Sequence, residues 1–157
     1  MSNALTVTAP DGLPFVDFTR EFDYPVEQVF STYADADRVS QWLGPRGYEM
    51  RVDHYDFHTG GSYAYTHVDP SGDEYQFRGS LHTVRENEIA IQTFEFLGFP
   101  DVVSIETLRF EDLGEGRTQL SGHAVYPSLE ARDGMVSSGM ETGMTDGFDR
   151  LEELLAT

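Results

Sequence analysis

Arg20–Pro45, REFDYPVEQVFSTYADADRVSQWLGP, holds the end of a strand, a proline-started helix, a second helical turn and a Trp-Leu-Gly-Pro stop. Pro25 fixes a backbone angle already suited to a first helical turn. Val26, Val29, Phe30 and Tyr33 then recur three and four residues apart, the spacing of one helical face. Asp35 can cap a second short helix carrying Val39 and Trp42, and Gly44-Pro45 ends it. Upstream, Phe15–Phe22 alternates with Val16, Phe18, Arg20 and Phe22 on one face, so it reads as a strand. A strand, two short helices and a β-rich remainder point to an architecture that encloses a cavity.

Downstream, strand-like runs cover Tyr48–Phe57, Ser62–Val68, Glu74–Val84, Glu88–Phe96, Val102–Phe110 and Arg117–Tyr126. Asp69-Pro70-Ser71-Gly72 and Gly114-Glu115-Gly116 are turn signals between them, as an antiparallel meander requires. Ser128–Ala156 reads as helical with a break near Gly134, and Met140, Met144, Phe148, Leu151 and Leu155 share a face. Residues 1–14 show no sustained period and read as a lead-in, and residues 15–157 as a single domain. A long final helix against such a sheet leaves room for a pocket between the two.

Charge and composition exclude several classes of function. The chain of 157 residues carries 28 acidic and 10 basic side chains, a formal charge of -18, and all ten basic residues are arginine. That field repels phosphate backbones and anionic lipid, so neither nucleic-acid binding nor membrane insertion is expected. Without lysine there is no Schiff-base chemistry and no Walker-type phosphate site. Without cysteine there are no disulfides, thiolate metal sites or thiol nucleophiles. The opening MSNALTVTAPDG lacks the basic region and apolar core of a leader, and no apolar run reaches the ~20 residues of a membrane span. The expected location is the cytoplasm.

Few residues suggest chemistry. Glu106 shares a strand face with Leu108 and Phe110; if that face is inward, burial raises its pKa and makes it a candidate acid or base. Arg20, on the face of Phe18 and Phe22, is a candidate ion-pair partner. Gly139, Gly143 and Gly147 form a four-residue stripe whose plainest explanation is close helix packing. Met140 and Met144 adapt to irregular apolar shapes. His54, His58, His67, His82 and His123 are expected to face solvent, and no HExxH pattern suggests a metal. No nucleophile elbow, phosphate loop or dinucleotide fingerprint is present, so no cofactor is expected.

The chain resembles the SRPBCC (START-like, Bet v 1-like) superfamily, and within it the group related to activators of the heat-shock protein 90 ATPase. The resemblance rests on Arg20, Phe22, Pro25, Val29, Phe30, Asp35 and Trp42-Leu43-Gly44-Pro45. It continues through Gly60-Gly61, the turn before Phe77 and Gly79, Thr107-Leu108 and Phe110, and closes on Gly143 and Asp149-Arg150-Leu151. It implies an α+β helix-grip fold, in which a curved antiparallel sheet wraps a long C-terminal helix around a hydrophobic cavity.

Three functions are consistent with that container. The first is binding of a hydrophobic or aromatic small molecule, uncharged or cationic given the acidic field, lined by Trp42, Tyr65, Phe77, Phe110, Met140 and Met144. The second is a polyketide-cyclase-type enzyme in which Glu106 and Tyr65 move protons. The third is a chaperone-associated interaction module. The sequence is compatible with a monomer or a homodimer.

Overall fold

The computed structural model describes residues 3–157. Eight antiparallel strands make one sheet in the order β1-β2-β8-β7-β6-β5-β4-β3. They are β1 (Thr6–Thr8), β2 (Phe15–Phe22), β3 (Glu49–Tyr55), β4 (Ser62–Val68), β5 (Glu74–Arg85), β6 (Ile89–Phe96), β7 (Val103–Gly114) and β8 (Arg117–Val125). Helices α1 (Val26–Ala34) and α2 (Ala36–Val39) link β2 to β3, and α3 (Leu129–Ser137) and α4 (Met140–Leu155) close the chain. The sheet curves around α4 in the helix-grip arrangement.

The opening stretch forms as its residue spacing demands. Val26, Val29, Phe30 and Tyr33 are the buried face of α1, and Asp35 caps α2 by accepting from the Asp37 backbone N–H at 2.8 Å. α2 stops at Val39, so Trp42 lies in the turn beyond it rather than on the helix. There its indole Nε1 donates to the Thr32 carbonyl at 2.9 Å, which satisfies a fully buried donor.

The core fills the concave side of the sheet. Phe148 of α4 meets Phe18 and Phe22 of β2 and stacks on Trp42, with ring centroids 5.5, 6.0 and 6.0 Å apart. Phe30 of α1 sits edge-on to Phe57 and Phe110. Such aromatic pairs add about 0.5–1.5 kcal/mol each beyond the area they bury. One buried ion pair fastens the helix to the sheet: Arg20 is 2% exposed and its Nη2 donates to Glu152 at 2.8 Å and Asp149 at 3.3 Å.

Three expectations are corrected. The stretch 1–14 contains a strand, because Thr6–Thr8 pairs with Asp17–Thr19 at the sheet edge. The break in the final helix falls at Gly139 rather than Gly134. Gly139 has φ +89°, a left-handed conformation that ends α3, whereas Gly134 lies inside α3 with open space around it. The β7–β8 hairpin runs to Gly114, with a register shift after Asp112.

Candidate functional site

A pocket of about 410 Å3 lies between the concave face of the sheet and α4. Strand alternation decides which side chains reach it. On β4 the inward positions are Tyr63, Tyr65 and His67, and on β5 Phe77. On β6 they are Gln92 and Phe94, and on β7 Glu106 and Leu108. From the helices come Tyr33, Met140, Met144 and Phe148, and Trp42 lines the wall from its turn. Trp42, Tyr65, Phe77, Met140 and Met144, singled out from the sequence, therefore border one space. Phe110 does not: it is consumed in the core, 5.1 Å from Phe30 and 5.4 Å from Tyr33 between ring centroids.

Glycines shape the walls. A Cβ at Gly122 would stand 2.0 Å from Phe18 Cε1, so only glycine lets that ring cross β8. On α4, a Cβ at Gly147 would reach the Trp42 carbonyl at 3.4 Å, and one at Gly143 would reach Pro45 at 3.7 Å, both ordinary contact distances. α4 thus packs beside the Trp-Leu-Gly-Pro turn at Gly143 and Gly147, with room for a methyl group at either position. Arg150 of the same helix secures that turn by donating to the Gln41 carbonyl at 2.8 Å.

Glu106 is half-buried and borders the pocket. Gln92 lies opposite it in the β6–β7 register and donates to its Oε1 at 2.9 Å. Burial raises the Glu106 pKa, with the Gln92 hydrogen bond working the other way. Arg20 is not its partner, being committed to α4. Tyr65 is pushed above the ordinary tyrosine range by burial first and by the Glu106 charge second. Its hydroxyl therefore stays protonated at neutral pH, available as a hydrogen-bond donor and acceptor.

The histidine expectation fails at one position. His54, His58, His82 and His123 are exposed, whereas His67 is 7% exposed beside Tyr65 and Phe77. Burial lowers its pKa to about 4, opposed by a hydrogen bond with the Leu43 backbone. The period-two run Tyr63, Tyr65, His67 carried the signal for this inward position. The same logic marks Gln92 between Ala90 and Phe94.

A second hollow, of about 680 Å3, lies on the outer face over β4–β6. It is bordered by the outward Gln76, Arg78, Ser80 and Glu95, and the Arg78–Glu95 ion pair at 2.9 Å crosses it. No helix residue borders it, whereas α4 lines the space on the concave side. Among the described residues no group of three or more His, Cys, Asp or Glu side chains converges to hold a metal. No helix is long and apolar enough to cross a membrane.

Fold and pocket together define a START-like protein of the SRPBCC superfamily. The family model for Activator of Hsp90 ATPase homolog 1-like protein matches residues 23–156, and the chain belongs to that family. No curated protein matches it by sequence. Among solved structures, it is similar to a Rhodobacter sphaeroides protein at 24% identity and TM-score 0.87, covering 98% of this chain and 99% of that one. It is also similar to the AHSA1 protein of Silicibacter pomeroyi, at 23% identity and TM-score 0.74, covering 90% and 97%. A third neighbour is DynU16, from the dynemicin biosynthetic locus, at 23% identity and TM-score 0.70; the match covers 94% of this chain and 48% of that one.

Proposed function

We propose that the protein binds a hydrophobic or aromatic small molecule in the pocket under α4. The observation that carries this reading is the concave space of about 410 Å3, walled by Trp42, Tyr65, Phe77, Met140 and Met144, with few polar groups among them. Small-molecule sites have this make-up: concave, largely apolar and fixed by a few polar side chains. The superfamily's fold commonly holds small hydrophobic ligands, which agrees with it. Native mass spectrometry of protein purified from its own host tests the reading. A retained small molecule, released by Met144→Trp, supports it; protein that emerges empty and leaves Trp42 fluorescence unmoved by a panel of aromatic compounds counts against it.

A second reading is a cyclase-type enzyme in which Glu106 and Tyr65 move protons on a bound polyketone. The raised pKa of Glu106, at the pocket wall and within the field of Tyr65, favours it. Glu106→Gln would then abolish turnover and leave substrate binding largely intact. The third reading, a chaperone-associated module, would use the outward apolar positions Val103, Ile105 and Val125, of which Ile105 is 53% exposed. A pull-down against the heat-shock protein 90 ATPase tests it.

A further inference from the structure

Among the described residues, no hydrogen bond reaches Glu106 Oε2 or the hydroxyls of Tyr33 and Tyr65. The neighbouring Tyr55 and Tyr63 hydroxyls, by contrast, are spent on the backbone carbonyls of Tyr33 and Thr93. Nor are the three sealed within the core, as His67 Nε2 is. They keep accessible surface, and their residues border the pocket.

No cation answers the Glu106 carboxyl. The chain has no lysine, and no arginine borders the pocket. His67 is held neutral by burial. His123 touches the rim, but its Nδ1 lies 2.6 Å from Asp17 Oδ1. A carboxylate taken from water without a counter-charge is costly, and a partner of opposite charge offsets that cost. The rings of Trp42, Tyr65 and Phe77 border the same pocket and supply its apolar wall. The overall charge of -18 enriches cations near the protein.

We propose that the ligand is a lipophilic amine, its ammonium seated at Glu106 Oε2 with the Tyr33 and Tyr65 oxygens and its apolar body lying along Trp42, Met140 and Met144. This rests on the small-molecule reading above and specifies its ligand class. An ammonium offers three N–H donors and no acceptor, the complement of one carboxylate oxygen and two phenol oxygens. An anionic ligand would meet the carboxylate directly and is disfavoured by it. A neutral ligand would leave the carboxylate without a counter-charge.

The test uses three probes with one phenylbutyl body: 4-phenylbutylamine, 4-phenylbutan-1-ol and 4-phenylbutyrate. Binding to the intact chain at pH 7 is read by calorimetry and by fluorescence of Trp42, the single tryptophan, which borders the pocket. The amine is expected to bind about tenfold or more tighter than the alcohol, and the carboxylate weakest. In Glu106→Gln the advantage of amine over alcohol should fall to about threefold or less. Should that variant not fold by circular dichroism, Tyr65→Phe keeps the ring and removes one acceptor, and should weaken amine binding several-fold. An alcohol that binds as tightly as the amine, or an amine preference that survives these substitutions, overturns the proposal while the small-molecule reading stands. Failure of all three probes to bind removes both.

Discussion

The His67 imidazole occupies the space that a side chain at position 44 would need: a Cβ on Gly44 would stand 2.7 Å from its Cε1 and 2.9 Å from its Nε2. Gly44 also has φ +103°, a conformation that side-chain-bearing residues rarely adopt. The Trp-Leu-Gly-Pro turn and the inward face of β4 are thus fitted to each other. Gly44→Ala should destabilise the protein by about 1–3 kcal/mol, measured by urea unfolding. In a His67→Ala background the steric part disappears and only the backbone strain remains. The two substitutions should therefore be non-additive.

His67 also gives the protein an acid sensitivity of defined sign. Its ordinary pKa of 6.5 applies to the unfolded chain, and burial lowers the folded value to about 4. Between those values the unfolded state binds the proton and the folded state does not, so stability falls as pH falls. At roughly 1.4 kcal/mol per pH unit, the loss across the window approaches 3 kcal/mol. Unfolding measured at pH 7 and pH 4.5 should show a larger drop for the natural protein than for His67→Gln. Equal drops would place the acid sensitivity elsewhere.

Glu106 should behave in the opposite sense. Its folded pKa is raised by burial, so its contribution is most favourable at low pH and is lost as pH rises through the folded value. Glu106→Gln keeps the shape and the Gln92 neighbour without the charge. That variant should be more stable than the natural protein at pH 7.5, with the gain shrinking toward pH 4. A stability loss at pH 7.5 would mean that the carboxylate is better accommodated than its surroundings indicate.

The Arg20 clamp is the main ionic tie between β2 and α4. Arg20 is buried, lies 4.5 Å from the Phe22 ring centroid, and pairs with Glu152 and Asp149. Arg20→Met leaves Asp149 partly exposed and Glu152 half-buried, so the cost should sit near the low end for a broken buried pair, about 3 kcal/mol. Arg20→Lys keeps the charge but not the planar fork and should recover only part of it. Amide exchange localised to α4 would report the loosened helix.

Trp42→Phe should cost about 1–3 kcal/mol, because the Thr32 carbonyl loses its buried donor. The ring contact with Phe148 is largely kept, so the fold should survive with altered near-ultraviolet dichroism.

Much of the architecture was legible locally. The 3-4 spacing of Val26, Val29, Phe30 and Tyr33, the Asp35 cap and the alternation in β2 and β4–β8 are short-range properties, written residue by residue. The errors lay where local signals compete. Gly134 and Gly139 look alike in sequence, yet only the latter takes a left-handed conformation. Thr6–Thr8 forms a strand because β2 offers an edge, which its three residues do not announce. Phe110 and Phe77 share the same chemistry, but one faces Phe30 in the core and the other the pocket.

The sequence by itself determined the container: the order of strands and helices, the acidic lysine-free surface and the family. Periodicity, turn chemistry and charge act over a few residues or over the whole surface, and both are readable without coordinates. Only the tertiary structure decided what lines the interior. It set Glu106 opposite Gln92 rather than Arg20, turned His67 inward, and left the hydroxyls of Tyr33 and Tyr65 without partners among the described residues. Those outcomes depend on strand register and on the approach of α4 to the Trp42 turn, where residues more than 100 positions apart come into contact. A one-residue slip of β4 would turn Tyr65 and His67 to the other face, and a slip of β7 would do the same to Glu106.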